Sequence, residues 1–224
     1  MEKKYKLTEE SINYFGKTLY HIEALKDFGN VEKGDKGGYI EKENNLSQEG
    51  DCWINGDAKV WDKAIVSGNA YVYGDAKVSG NAKIYGNAKV YGKAEVCGNV
   101  LVFGNALIYC NALVYDNAKV YGDAYVWDNA QVYDNALVCG NAEVCGDAEI
   151  KDNSDYIVFK NWWSSGRHFT WTRSNNKWRV GCFYGNGKEL IAKAYKDSEL
   201  SGREYERVVN YVETILQDSK GIGD

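Results

Sequence analysis

Between Glu49 and Ile150 the chain repeats every sixth residue without interruption, and this period excludes most folds. Seventeen hexads run from EGDCWI through NGDAKV and SGNAYV to CGNAEV and CGDAEI. Their sixth position is always Val or Ile, and the fourth is Ala except at Cys52 and Val100. The second is Gly or, at Asp62, Cys110, Asp116, Asp128 and Asp134, a substitute. The third is Asn or Asp except at Lys63 and Lys93. A helix neither keeps a six-residue period nor tolerates this density of glycine and β-branched residues. In a short strand, positions four and six share one face, and positions five and one share the other. Glycine with Asn or Asp then makes a corner, where left-handed backbone costs least. One hexad is therefore one side of a coil, and three close a narrow prism filled by Ala and Val. Seventeen hexads give between five and six coils, roughly 27 Å at ~4.8 Å per coil. Lys63 and Lys93 would sit uneasily at left-handed corners.

These hexads resemble the left-handed parallel β-helix of hexapeptide-repeat proteins, and the handedness is what that resemblance implies. The stretch IEALKDFGNVEKGDKGGYIEKENNLSQEGDCWI, followed by the repeats, resembles the YdcK-type hexapeptide family over roughly residues 20 to 150. That family is described as acyltransferase-like or polymer-forming, and similar chains are frequent in phages and prophages. The implied fold is mainly β: a cap over 1–48, a β-helix over 49–152 and an α+β domain over 153–224.

With three hexads per coil, residues eighteen apart lie above one another. Position one then forms outward ladders: Tyr73, Tyr91, Tyr109 and Trp127; Tyr85, Phe103 and Tyr121; Tyr115 and Tyr133. Asn81, Asn99, Asn117 and Asn135 would form an amide ladder. Leu101, Leu107 and Leu113 make an apolar belt at mid-height and, with Tyr109, mark a subunit interface. Hexapeptide proteins imply a trimer.

The ends read differently. A solenoid must cap its strand edges, and YKLT and TLYHIEAL around Gly16-Lys17 predict a hairpin. After Ile150 the repeat stops. DYIVFKNWW, RHFTWTR and KWRVGCFYGNG predict a three-strand meander, followed by GKELIAKAY as a weak helix and SGREYERVVNYVETILQ as a longer one. Alternation groups Trp178 with Val180 and Cys182. Trp171 and Trp178 belong beneath the helix, and one of the adjacent Trp162 and Trp163 should be exposed. Residues 155–189 carry a net charge of +4, against −6 for the hexads, which contain no arginine. Trp162, Trp163, Arg167, His168, Arg173 and Arg179 are therefore the candidate partner-binding residues, suited to an acidic protein surface or a small anionic ligand.

The chain is acidic overall, at −5, which argues against generic nucleic-acid or membrane-surface binding. No secretory signal or apolar run of spanning length is visible. The six cysteines lie apart, which suits a reducing cytoplasm. Acyl transfer ordinarily needs a histidine base, and a γ-type carbonic anhydrase needs three histidine ligands. His21 and His168 lie outside the hexads, so no catalytic residue, metal or cofactor is expected. The primary reading is a non-catalytic scaffold presenting a binding domain, such as a phage protein that engages a host protein or signalling molecule. An acyltransferase-like enzyme and a nucleic-acid-binding module stay as alternatives.

Overall fold

A computed structural model of the chain describes residues 2–221, divided into two compact units that meet between Asp155 and Tyr156. In the first, β1 (Tyr5–Tyr14), β2 (Lys17–Ala24) and β3 (Lys36–Ile40) precede seventeen two-residue strands. These recur at six-residue intervals from Trp53–Ile54 to Glu149–Ile150. Each pairs in parallel with strands eighteen residues away: Lys89–Val90 lies between Tyr71–Val72 and Leu107–Ile108. The repeat therefore builds a three-sided parallel β-solenoid, with sheets of nine, six and five strands. Backbone N–H groups of one coil donate to carbonyls of the next, as Lys89 N does to Ala106 O at 2.9 Å.

The core follows the hexad. Positions four and six are fully buried throughout, as Ala88, Val90, Val102 and Ala106 show. The left-handed backbone is confined to position two, which lies at positive φ whether it is Gly104 (φ 73°) or Asp62 (φ 60°). Lys63 and Lys93, at position three, are therefore outside the left-handed region, and the expected discomfort does not arise. The coils approach so closely at Gly104 that an added Cβ would lie 2.9 Å from Gly122 N.

Side-chain ladders reinforce the backbone ladder. Tyr73, Tyr91, Tyr109 and Trp127 stack nearly parallel at 4.7, 4.9 and 5.7 Å, and Tyr85–Phe103–Tyr121 and Tyr115–Tyr133 do the same. Asn81 donates to Asn99, and Asn99 to Asn117; no bond from Asn117 to Asn135 is found among the described residues. A second ladder runs from Asn69 through Asn87 and Asn105 to Asp123, and a third from Asn111 through Asn129 to Asp147. Both finish on an aspartate, which has no proton to pass on.

The N-terminal hairpin turns at Phe15 and Gly16, both at positive φ, so Lys17 opens β2 rather than belonging to the turn. β2 pairs antiparallel with β3, which continues in parallel onto Lys59–Val60. Lys4 closes this end. Its ammonium is buried and donates to the carbonyls of Gly50 (3.1 Å) and Cys52 (3.0 Å), and the Tyr5 hydroxyl reaches Leu46 O at 2.7 Å. Burial first, and then the charges of Glu43 and Cys52, push the Tyr5 hydroxyl well above its ordinary pKa.

In the second unit, β21 (Tyr156–Lys160), β22 (His168–Thr172), β23 (Lys177–Val180) and β24 (Phe183–Gly185) form an antiparallel sheet in chain order. The meander thus has four strands rather than three. KWRVGCFYGNG breaks at Gly181 (φ 55°), which leaves Cys182 exposed in a turn instead of grouped with Trp178 and Val180. Helices α1 (Gly187–Asp197) and α2 (Glu199–Gly221) follow. Phe169, Trp171, Trp178, Leu190, Ala194, Tyr205, Val209 and Val212 form their shared core. α1 is well capped: Asn186 Oδ1 accepts from Glu189 N at 2.9 Å, and Glu189 returns the bond to Asn186 N. GNGK is thus a helix start closed by a capping box.

Candidate functional site

The C-terminal unit has a cleft of about 310 Å³. β22 fixes one wall, because Phe169 and Trp171 are buried toward the helices and Arg167 is left at the strand's entrance. The Gly181-Cys182 turn approaches from the sheet, and Arg167 Nη1 lies 3.1 Å from where a Cβ on Gly181 would stand. α1 contributes Leu190, Lys193, Ala194 and Asp197, and α2 contributes Ser201 and Tyr205. One side is apolar, formed by Val180, Phe183, Leu190 and Ala194.

The polar side is incompletely satisfied. Asn161 donates to the Tyr205 hydroxyl at 3.0 Å and accepts from Ser164 N and Oγ. The Tyr205 proton itself has no acceptor among the described residues, and the Ser201 hydroxyl, which is open to the cleft, has no partner among them either. The side-chain charges of Arg167, Lys193 and Asp197 form no ion pair among the described residues. Burial raises the Tyr205 pKa above its ordinary value. The Asn161 bond and Arg167 pull the other way, and Asp197 adds to the rise.

Larger hollows occur on the solenoid, and a lysine in each of two of them is already engaged. In one of about 610 Å³, Lys4 is committed to backbone carbonyls. In another of about 420 Å³, Lys77 is paired with Glu95 at 2.7 Å.

The six residues singled out from the sequence do not converge. Trp162 is 75% exposed, while Trp163 packs against Tyr205 and Phe169. Both lie in the turn after β21. The Trp163 Nε1 is buried without a hydrogen-bond partner among the described residues. His168 and Arg179 lie on the sheet face away from the helices, with Arg179 opposite Thr170. Arg173 is in the turn after β22. Only Arg167 of the six lines the cleft. Lys193, Asp197 and Ser201 escaped sequence reasoning; the i, i+4 spacing of Lys193 and Asp197 on the α1 pattern was the available signal. Leu101, Leu107 and Leu113 lie half-buried at one height, one on each of the three sheets, and Tyr109 is within the longest aromatic stack.

The family model for the YdcK beta solenoid repeat matches residues 130–146. The chain is a β-solenoid repeat protein. The match falls on hexads whose strands, Gln131–Val132, Leu137–Val138 and Glu143–Val144, lie one in each sheet of the solenoid. No curated protein matches the chain. Among the described residues of this solenoid protein, no three His, Cys, Asp or Glu side chains are grouped to hold a metal ion, and no helix is long and apolar enough to cross a membrane.

Proposed function

We propose that this protein is a non-catalytic scaffold whose solenoid carries a C-terminal binding domain, and that partners engage the domain at the Arg167 cleft. The observation that carries the reading is the cleft's set of uncommitted polar groups: Arg167, Lys193, Asp197 and the Ser201 hydroxyl. The solenoid is regular along its length and lacks histidine throughout its hexads. It supplies spacing and rigidity, while the C-terminal domain supplies recognition. The partner class implied by the phage-like resemblance is a host protein or signalling molecule. Six cysteines that form no disulfide among the described residues suit work in a reducing cytoplasm.

The test is capture from a host lysate with the full chain, its Arg167→Ala variant, and Tyr109→Ala on the solenoid surface. Arg167→Ala should lose the partner while Tyr109→Ala retains it. The reverse pattern would move the site onto the coils.

A further inference from the structure

We infer that the Arg167 cleft is a small-molecule site for an organic anion: a phosphate or carboxylate group joined to a compact apolar body that also carries a hydrogen-bond donor. The inference rests on the binding role proposed for the C-terminal domain and deepens it to a ligand class. The volume of about 310 Å³ is at the small end of ligand pockets and sufficient for a metabolite-sized molecule.

The lining divides into complementary parts. Arg167 presents a planar guanidinium fork that no acid fills among the described residues, and Lys193 adds a second cation with no ion-pair partner among them. Such a fork matches the paired oxygens of carboxylate and phosphate. Two cations against one carboxylate leave the site net positive. Asp197 therefore does not bar an anion, and it calls for a donor, a hydroxyl or an amine, elsewhere on the same ligand. The Ser201 hydroxyl and the Tyr205 O–H both retain hydrogen-bonding capacity in the cleft wall. Both can therefore donate to a ligand oxygen seated in the cleft. Val180, Phe183, Leu190 and Ala194 then cover the apolar body.

The experiment titrates the full-length protein with inorganic phosphate, phenyl phosphate, benzoate and benzyl alcohol, followed by amide NMR shifts and by calorimetry. Phenyl phosphate should bind at least tenfold tighter than inorganic phosphate, because only the former uses the apolar wall. Comparing it with benzoate decides between phosphate and carboxylate as the preferred head. Benzyl alcohol, of similar shape but uncharged, should not saturate. Shifts should centre on Gly181, Ser201 and their neighbours. Arg167→Gln should weaken phenyl phosphate at least tenfold without changing the melting temperature, and Arg167→Lys should restore part of the loss. Failure of both organic anions to saturate the folded protein would overturn the inference, as would binding that Arg167→Gln alters less than twofold or shifts confined to the solenoid. Should neither anion bind while Arg167→Ala still loses lysate capture, the small-molecule inference falls and the binding role of the domain stands. Loss of both effects removes both.

Discussion

At the solenoid corners, Asp62, Cys110, Asp116, Asp128 and Asp134 adopt the left-handed backbone that glycine adopts elsewhere. Two of these aspartates repay the strain locally, since Asp62 and Asp128 each accept a bond at 3.2 Å from the glycine N–H eighteen residues on. Gly104 has no such compensation, and its Cβ would crowd the next coil. Gly104→Ala should therefore cost roughly 1–3 kcal/mol, which chemical denaturation would measure; no loss would mean that the corner relaxes freely. The inward register gives a sharper contrast. Val102→Asp buries an unpaired charge and should cost several kcal/mol, whereas the outward Lys89→Asp should stay within about 0.5 kcal/mol. Equal melting temperatures for the two variants would contradict the burial pattern. Asp62 also carries a pH signature. Burial opposes its ionisation, but bonds from Lys17 and Gly80 N–H outweigh that and hold its pKa below the ordinary value. Its contribution is thus present above about pH 4, the unfolded value, and is lost as pH falls through the lower folded value. Asp62→Asn should lower the melting temperature more at pH 7 than at pH 3, and an equal loss at both would refute the link.

Among the elements, the hexad strands were legible in detail because each position repeats one physical demand seventeen times. Burial, corner conformation and aromatic stacking all follow from the period. The C-terminal elements were less legible. Strand alternation correctly buried Trp171 and Trp178, and exposed one tryptophan of the adjacent pair. It missed the break at Gly181, because KWRVGCFY keeps a strand-like composition across the turn. Nor does alternation point to Tyr205, in the longer helix, whose hydroxyl borders the cleft. A cleft assembled from a turn, a strand end and two helices leaves no local pattern in the chain, so only Arg167 could be chosen from charge and composition. The aromatic stacks are testable as elements. Tyr91 stacks on both neighbours, at 4.7 and 4.9 Å. Tyr91→Phe should be nearly neutral, and Tyr91→Ala should lose about 1–2 kcal/mol. Equal stabilities of the two would show that the ring stack contributes nothing.

For the molecule as a whole, self-association is proposed through Leu101, Leu107, Leu113 and Tyr109, with a trimer as the order that the hexapeptide resemblance implies. Light scattering at micromolar concentration should give a mass near three times the 25.2 kDa chain, falling toward one chain in Leu107→Glu. A monomeric mass in both proteins would dispose of the interface. The coil-to-coil bonding has another outcome. Because coil-to-coil bonds join only adjacent coils, the solenoid is a linear chain of nearly equal nearest-neighbour contacts. Opening then has no reason to begin in the middle, where both neighbours must be broken; it begins at an end and travels. The buried Lys4 ammonium and the hairpin behind it act as a latch on the first coil. Under native hydrogen exchange, Lys4→Met should strip protection from the amides near Trp53 first, and then from later coils in order of distance. Amides beyond mid-height, such as Leu107, should keep wild-type rates longest. Uniform acceleration along all the coils would mean that the solenoid opens as a single block, with no travelling front.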